Sequence, residues 1–130
     1  MIEDTTFIID ILRDDEDSLA YLDLLERENR PEKISSITVL EVYEGLVRSS
    51  TSESRREAVF DVLDSKHIIA ADDRIMRRAG RIAGELIARG EQIDREDCIV
   101  AATALFADEP VVTRNTDHFE RIDGLAVRSY

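Results

Sequence analysis

Short apolar runs alternate along this chain with longer stretches whose apolar residues recur at helical spacing, and that alternation narrows the fold more than any other feature. The runs at residues 1–4, 33–36, 67–70, 111–112 and 125–127 are too brief for helices and predict strands. A strand that is followed by a helix returns to the same sheet in parallel, and its helices must cover both faces of that sheet. The expectation is an α/β fold: three α/β/α layers around a short-stranded, mainly parallel sheet. Ligands of such sheets collect beyond the carboxyl ends of the strands. Asp4 closes the first run there, and residues 113–117 follow the fourth.

The helices are read from spacing and from their caps. Residues 7–12 start one helix. A second runs through 14–28, with Leu19, Tyr21, Leu22, Leu24 and Leu25 on one side and Pro31 after its end. Ser36 or Thr38 caps a third that carries Val39, Val42, Tyr43, Leu46 and Val47. Polar Ser49-Ser50-Thr51-Ser52 breaks the pattern, which resumes over 53–63. Asp72-Asp73 opens the clearest helix. Ile75, Met76, Ala79, Ile82, Ala83, Leu86 and Ile87 form its stripe, and Gly90 closes it. Residues 94–106 are apolar on nearly every side and predict a buried helix.

The 130 residues suit a single domain, 1–130, and an apolar share of 43% suffices for a core. Charged residues reach 35% against roughly 25% in an average soluble chain, and 29 acids against 17 bases leave a net charge of −12. Charge of that density lies at the surface. It fits either an acidic surface adapted to concentrated salt, where screening shortens to about 3 Å at 1 M, or an acidic protein of ordinary salt. It announces no basic face of the kind nucleic-acid binders carry. Cys98 is the single cysteine, reads as a small buried hydrophobe, and excludes an internal disulfide. Residues 1–4 hold acids where a signal peptide would be basic, and no apolar run approaches the ~20 residues of a membrane span. The expectation is a soluble, cytoplasmic protein.

Asp4, Glu41, Asp97 and Asp117 are far apart in sequence, yet each falls near the end of an expected element. Oxygen-rich sites of this type suit Mg²⁺ or Mn²⁺, and such ions assist phosphodiester hydrolysis without histidine or cysteine.

The residues around these acids resemble a family. Asp4-Thr5-Thr6-Phe7-Ile8-Ile9-Asp10 is similar to the opening of PIN-domain nucleases. Glu41-Val42-Tyr43-Glu44-Gly45-Leu46 resembles their second motif, an acid four residues before glycine. Ile93-Asp94-Arg95-Glu96-Asp97-Cys98-Ile99-Val100-Ala101-Ala102-Thr103-Ala104 resembles the third. Val112-Thr113-Arg114-Asn115-Thr116-Asp117-His118-Phe119, followed by Gly124-Leu125, resembles the fourth as VapC-type toxins carry it. The third and fourth are the most specific, and the four together span the chain in order.

The resemblance implies a metal-dependent endoribonuclease, the toxin of a type II toxin–antitoxin pair. It implies a homodimer, a VapB-type antitoxin that feeds a segment across the active site, and an RNA substrate. Asp4, Glu41 and Asp97 would hold one or two Mg²⁺ or Mn²⁺ ions, with Asn115 or Asp117 as the fourth group. Many PIN domains have Asp where this chain has Asn115, which leaves that place open between the two.

Each assignment competes with a plainer one. Asp4 suits a helix N-cap. Glu41 and Glu44 both lie off the apolar face, and only the spacing to Gly45 favours Glu41. Asp94 and Asp97 resemble a capping box, in which Asp94 is read as the cap and Asp97, ahead of an apolar wall, as the ligand. Thr6 and Thr113 orient carboxylates or water, or merely cap. Arg114 meets phosphate or makes a surface salt bridge. Phe7, Ile8, Leu12 and Tyr43 are candidates for exposed grooves, with core packing the rival role.

A receiver domain would need a late lysine after a strand, where Lys33 and Lys66 do not fall. A haloacid-dehalogenase-type phosphatase wants an Asp where Thr6 stands. The main alternative is a non-catalytic PIN-like module that binds RNA or a protein, which Asn115 favours.

Overall fold

A computed structural model describes residues 1–49 and 52–130. Its elements run β1 (Ile2–Glu3), α1 (Thr5–Leu12), α2 (Glu16–Arg27), β2 (Lys33–Ser35), α3 (Ser36–Arg48), α4 (Glu53–Asp64), β3 (His67–Ile69), α5 (Asp73–Ala88), α6 (Arg95–Ala107), β4 (Val111–Val112), α7 (Thr116–Glu120) and β5 (Val127–Arg128). The strands form one sheet in the order β3-β2-β1-β4-β5, with every pairing parallel. The sheet expected to be mainly parallel is parallel throughout.

Local chemistry sets most of the boundaries. Asp15 accepts a hydrogen bond from the Ser18 amide and starts α2. Asp72 does the same for α5 through Ile75. Gly90, at φ +72°, occupies the left-handed position just past α5 that a side chain would strain. Ser35 caps α3, one residue before the expected Ser36 and three before Thr38. Thr38 is instead buried inside the helix. Of the polar break at 49–52, Ser50 and Thr51 lie outside the described residues.

Pleating sends neighbouring residues of a strand into opposite layers. Ile2 and Val111 pair across β1 and β4 and both join the core beneath α5 and α6, with Ile75, Ala79, Leu86, Val100 and Phe119. Val112 faces the opposite layer, where Met1, Phe7, Ile11 and Leu25 pack, and beside it Ile8, Ile34, Val42, Leu46, Val59 and Leu63 form a further cluster. Phe7 and Ile8 are fully buried, so of the proposed groove residues these two belong to the core.

Glu3, in the central strand, is itself fully buried and lies 3.3 Å from Lys66 Nζ, which also meets Glu32. Burial pushes the Glu3 carboxyl up to about 7, against the pull of Lys66.

The strand order decides where a ligand can sit. The chain leaves β1 toward β2 and β3 on one side, then returns to place β4 and β5 on the other. Connections leaving β1 and β4 therefore diverge, and a crevice opens at the carboxyl ends of those two strands. Asp4 and Thr113 are the residues at those ends.

Candidate metal centre

Asp4 forms the floor of the crevice. It is 2% exposed and caps α1, accepting from the Thr5 amide at 2.8 Å. Its other oxygen, Oδ2, accepts from Thr6 Oγ1 at 2.9 Å and from Thr113 Oγ1 at 2.8 Å. Cap and site residue are thus one group. Thr6 and Thr113 hold the carboxylate in place, and Thr113 does so from the end of the neighbouring strand.

Glu41 arrives from α3. Thr5 Oγ1 donates to Glu41 Oε1 at 2.7 Å and lies 3.0 Å from Thr38 Oγ1. Glu44, the other candidate on that helix, is exposed. Spacing named Thr6 and passed over Thr5. A threonine in the first turn of a helix has the ordinary signature of a cap-flanking residue, and only the packing of α1 on α3 reveals its second partner.

Asp97 stands in the first turn of α6. Its Oδ2 lies 2.9 Å from His118 Nδ1, and Asn115 Nδ2 lies 2.8 Å from that same ring nitrogen. Asp94 occupies the N-cap position of α6 but makes no side-chain capping bond. A ligand atom of Asp94, one of Asp97 and one of His118 all lie within 4.8 Å of one another.

His118 was missed because it sits on α7, five residues long and too short to show a period. Its place three residues after Asn115 was the available signal. Fully buried Phe119, next to His118, anchors α7 in the core.

Two proposed residues lie away from this cluster. Asp117 is turned outward, its side chain 80% exposed and 2.8 Å from Arg121 Nη2. Arg114 makes the salt-bridge alternative, reaching Asp10 and Asp15 at 2.9 Å each, with its guanidinium over the Tyr130 ring. Of the pair considered for the fourth place, Asn115 is the one beside the cluster.

Burial raises the carboxyl groups of Asp4, Glu41 and Asp97 above their ordinary range. The negative charge of Asp4 and Asp97 pushes Glu41 further, and that of Asp4 does the same to Asp97. Hydrogen bonds from the threonines and from His118 oppose the rise. Half-desolvated carboxylates that repel one another relax when a cation lies among them, and their oxygens are the donors Mg²⁺ and Mn²⁺ take. The donor set fits such an ion.

Residues 1–125 match the family model described as PIN domain. The chain is 32% identical over 100 residues to ribonuclease VapC1 of Methanocaldococcus jannaschii, covering 76% of this chain and 70% of that protein. It is 29% identical over 97 residues to the tRNA(fMet)-specific endonuclease VapC of Salmonella typhimurium, covering 75% of this chain and 74% of that one. Among solved structures, VapBC2 from Rickettsia felis bound to a DNA fragment from their promoter superposes with a TM-score of 0.87. The identity is 25%, over 98% of this chain and 96% of that chain.

Proposed function

Because the chain belongs to the PIN-domain family and to its VapC-type members, we propose that it is a metal-dependent endoribonuclease, the toxin of a toxin–antitoxin pair, acting in the cytoplasm as a single PIN domain over residues 1–130. The nearness of Asp4, Glu41 and Asp97 beyond the ends of β1 and β4 supports this reading: burial raises all three carboxyls, and the charge of Asp4 adds to the rise at Glu41 and at Asp97.

Asp4, Glu41 and Asp97, with Asn115 and His118 at the rim, would hold Mg²⁺ or Mn²⁺, which when bound supplies positive charge to activate water and to stabilise the departing oxygen of a phosphodiester. The chain's own groups hold that arrangement. Thr6 and Thr113 fix Asp4, and Thr5 fixes Glu41. His118 restrains Asp97 on the open side, where a phosphate would approach. Asp4 is shielded from water, whereas Glu41 and Asp97 are partly exposed and would meet the substrate first.

The antitoxin, on this reading, is VapB-type and lays an apolar segment beside the site. A cavity of about 460 Å³ between α1, α3 and α4 suits it, with Ile9, Leu12, Val42, Leu46 and Val59 on its walls. A homodimer would use the opposite side, where a groove of about 370 Å³ lies between α5 and α6 and Met76 and Ile87 are exposed. No helix among the described residues is long and apolar enough to cross a membrane.

The test is cleavage of total cellular RNA by the purified protein, in dilute and in concentrated KCl, with Mg²⁺, Mn²⁺ or EDTA. Asp4→Asn and Asp97→Asn are run beside the parent. Discrete fragments that need metal and vanish in both variants are expected. Intact RNA in every lane, with no metal bound, would leave a non-catalytic binding module.

A further inference from the structure

The chain carries −12 overall, yet residues 74–89 hold five arginines against one acid, Glu85. Four of them, Arg74, Arg77, Arg78 and Arg81, fall within two turns of α5 and all are exposed. Arg74, Arg77 and Arg81 project away from Ile75, Ala79, Ile82 and Leu86, which are buried, and Arg78 flanks that stripe.

Solubility does not explain this arrangement. An exposed helix face is stabilised by opposite charges three and four residues apart and destabilised by like charges at those spacings. Arg74 with Arg78 and Arg77 with Arg81 are four apart, and Arg74 with Arg77 and Arg78 with Arg81 are three apart. Three of them, Arg74, Arg77 and Arg78, also lie in the first half of the helix, nearer the positive end of its dipole. Arg77 pairs with Asp73, and Arg74 lies over the Phe106 ring. Among the described residues, Arg78 and Arg81 have no acidic partner. A helix that concentrates unneutralised cations against its own stability is suited to an external polyanion.

The face is joined to the carboxylate site. Arg78, Arg81, Arg89 and Arg121 line one cavity of about 150 Å³ together with Glu85 and Asp123, where Arg89 pairs with Asp123 and Arg121 with Asp117. Arg121 follows directly after α7, three residues past His118, which contacts Asp97. Residues three apart on a helix have Cβ atoms about 5–6 Å from each other, so the arginine track begins one turn from the cluster.

We propose that the arginine face of α5 is a second RNA-contacting surface, which grips phosphates of the substrate strand as it runs away from the carboxylates past Arg121. This rests on the ribonuclease reading for its ligand. The contacts are electrostatic, and each phosphate held releases condensed counterions.

The test uses the full chain with bulk tRNA as probe. In the Asp97→Asn background, affinity is measured against KCl concentration, with and without the pair Arg78→Gln and Arg81→Gln. Two lost phosphate contacts should make the slope of log affinity against log salt shallower by about 1.4 to 1.8. The pair Arg78→Lys and Arg81→Lys should restore the slope. In the otherwise unaltered enzyme, the Gln pair should raise KM for tRNA much more than for a trinucleotide that fills only the carboxylate site.

An unchanged slope and unchanged KM, with normal metal-dependent cleavage, would overturn the α5 surface and leave the nuclease standing. If the parent cuts no RNA, the nuclease reading fails, and the slope still decides the surface. An unchanged slope with loss of a protein partner's binding would make the face a protein interface and overturn the proposal.

Discussion

Thr5 donates its hydroxyl proton to Glu41 across 2.7 Å, while the Thr5 backbone amide donates to Asp4 at 2.8 Å. One residue thus holds two carboxylates that lie on different elements, the backbone serving one and the side chain the other.

Thr5→Val separates these two duties. The amide remains, so α1 and Asp4 stay in place, whereas Glu41 loses its donor. Groups that orient metal ligands are typically worth about 10- to 100-fold in metal affinity or activity. Mn²⁺ titration calorimetry should show a loss in that range with an unchanged far-UV spectrum. Unaltered Mn²⁺ affinity would show that Glu41 needs no such support.

Asn115 and Asp117 should behave differently. Asp117 pairs with Arg121 on the surface, and exposed pairs contribute about 0–1 kcal/mol. Asp117→Asn should therefore cleave RNA within about twofold of the parent. Asn115→Ala removes the amide beside His118, and its rate should fall at least tenfold, since groups that support metal ligands are typically worth about 10- to 100-fold. The reverse ranking, read from initial rates at saturating Mn²⁺, would transfer the fourth place to Asp117.

Metal should stabilise the fold. Ions that bind only the folded state add about 2.7 kcal/mol at 100 times Kd. Thermal unfolding in rising Mn²⁺ should shift upward for the parent and barely move for Asp97→Asn. Equal shifts in both would mean that the ion binds elsewhere.

Glu3 gives the protein a pH dependence of its own. Its folded value, about 7, lies above its ordinary 4.5, so the folded state holds the proton more tightly than the unfolded chain. This contribution is fully present below about 4.5, declines as pH rises, and is gone above about 7. A rise of that size corresponds to about 3 kcal/mol. Urea unfolding at pH 5 and pH 8 should show a smaller drop for Glu3→Gln than for the parent, and equal drops would place the titration elsewhere.

The sequence made the alternation of elements legible because parallel strands buried on both faces are short apolar runs, and Val111-Val112 reads so at sight. Asp94–Asp97 also illustrates where reading stops. Asp94 does occupy the N-cap position, but its side chain makes no capping bond and lies near Asp97 and His118, and local spacing does not show what α7 brings to that place. α7 itself was invisible, since five residues show no period, and with it went His118. The choice of Glu41 over Glu44 needed the contact with Thr5, which follows from how α1 packs on α3. Local rules supplied the elements, and the meeting of distant elements supplied the site.

Thr113 reaches Asp4 from 109 residues further along the chain. During synthesis, Asp4 therefore leaves the ribosome long before the residues that restrain it, and α7 emerges later still. The carboxylate site is therefore complete only after β4 and α7 have joined the fold.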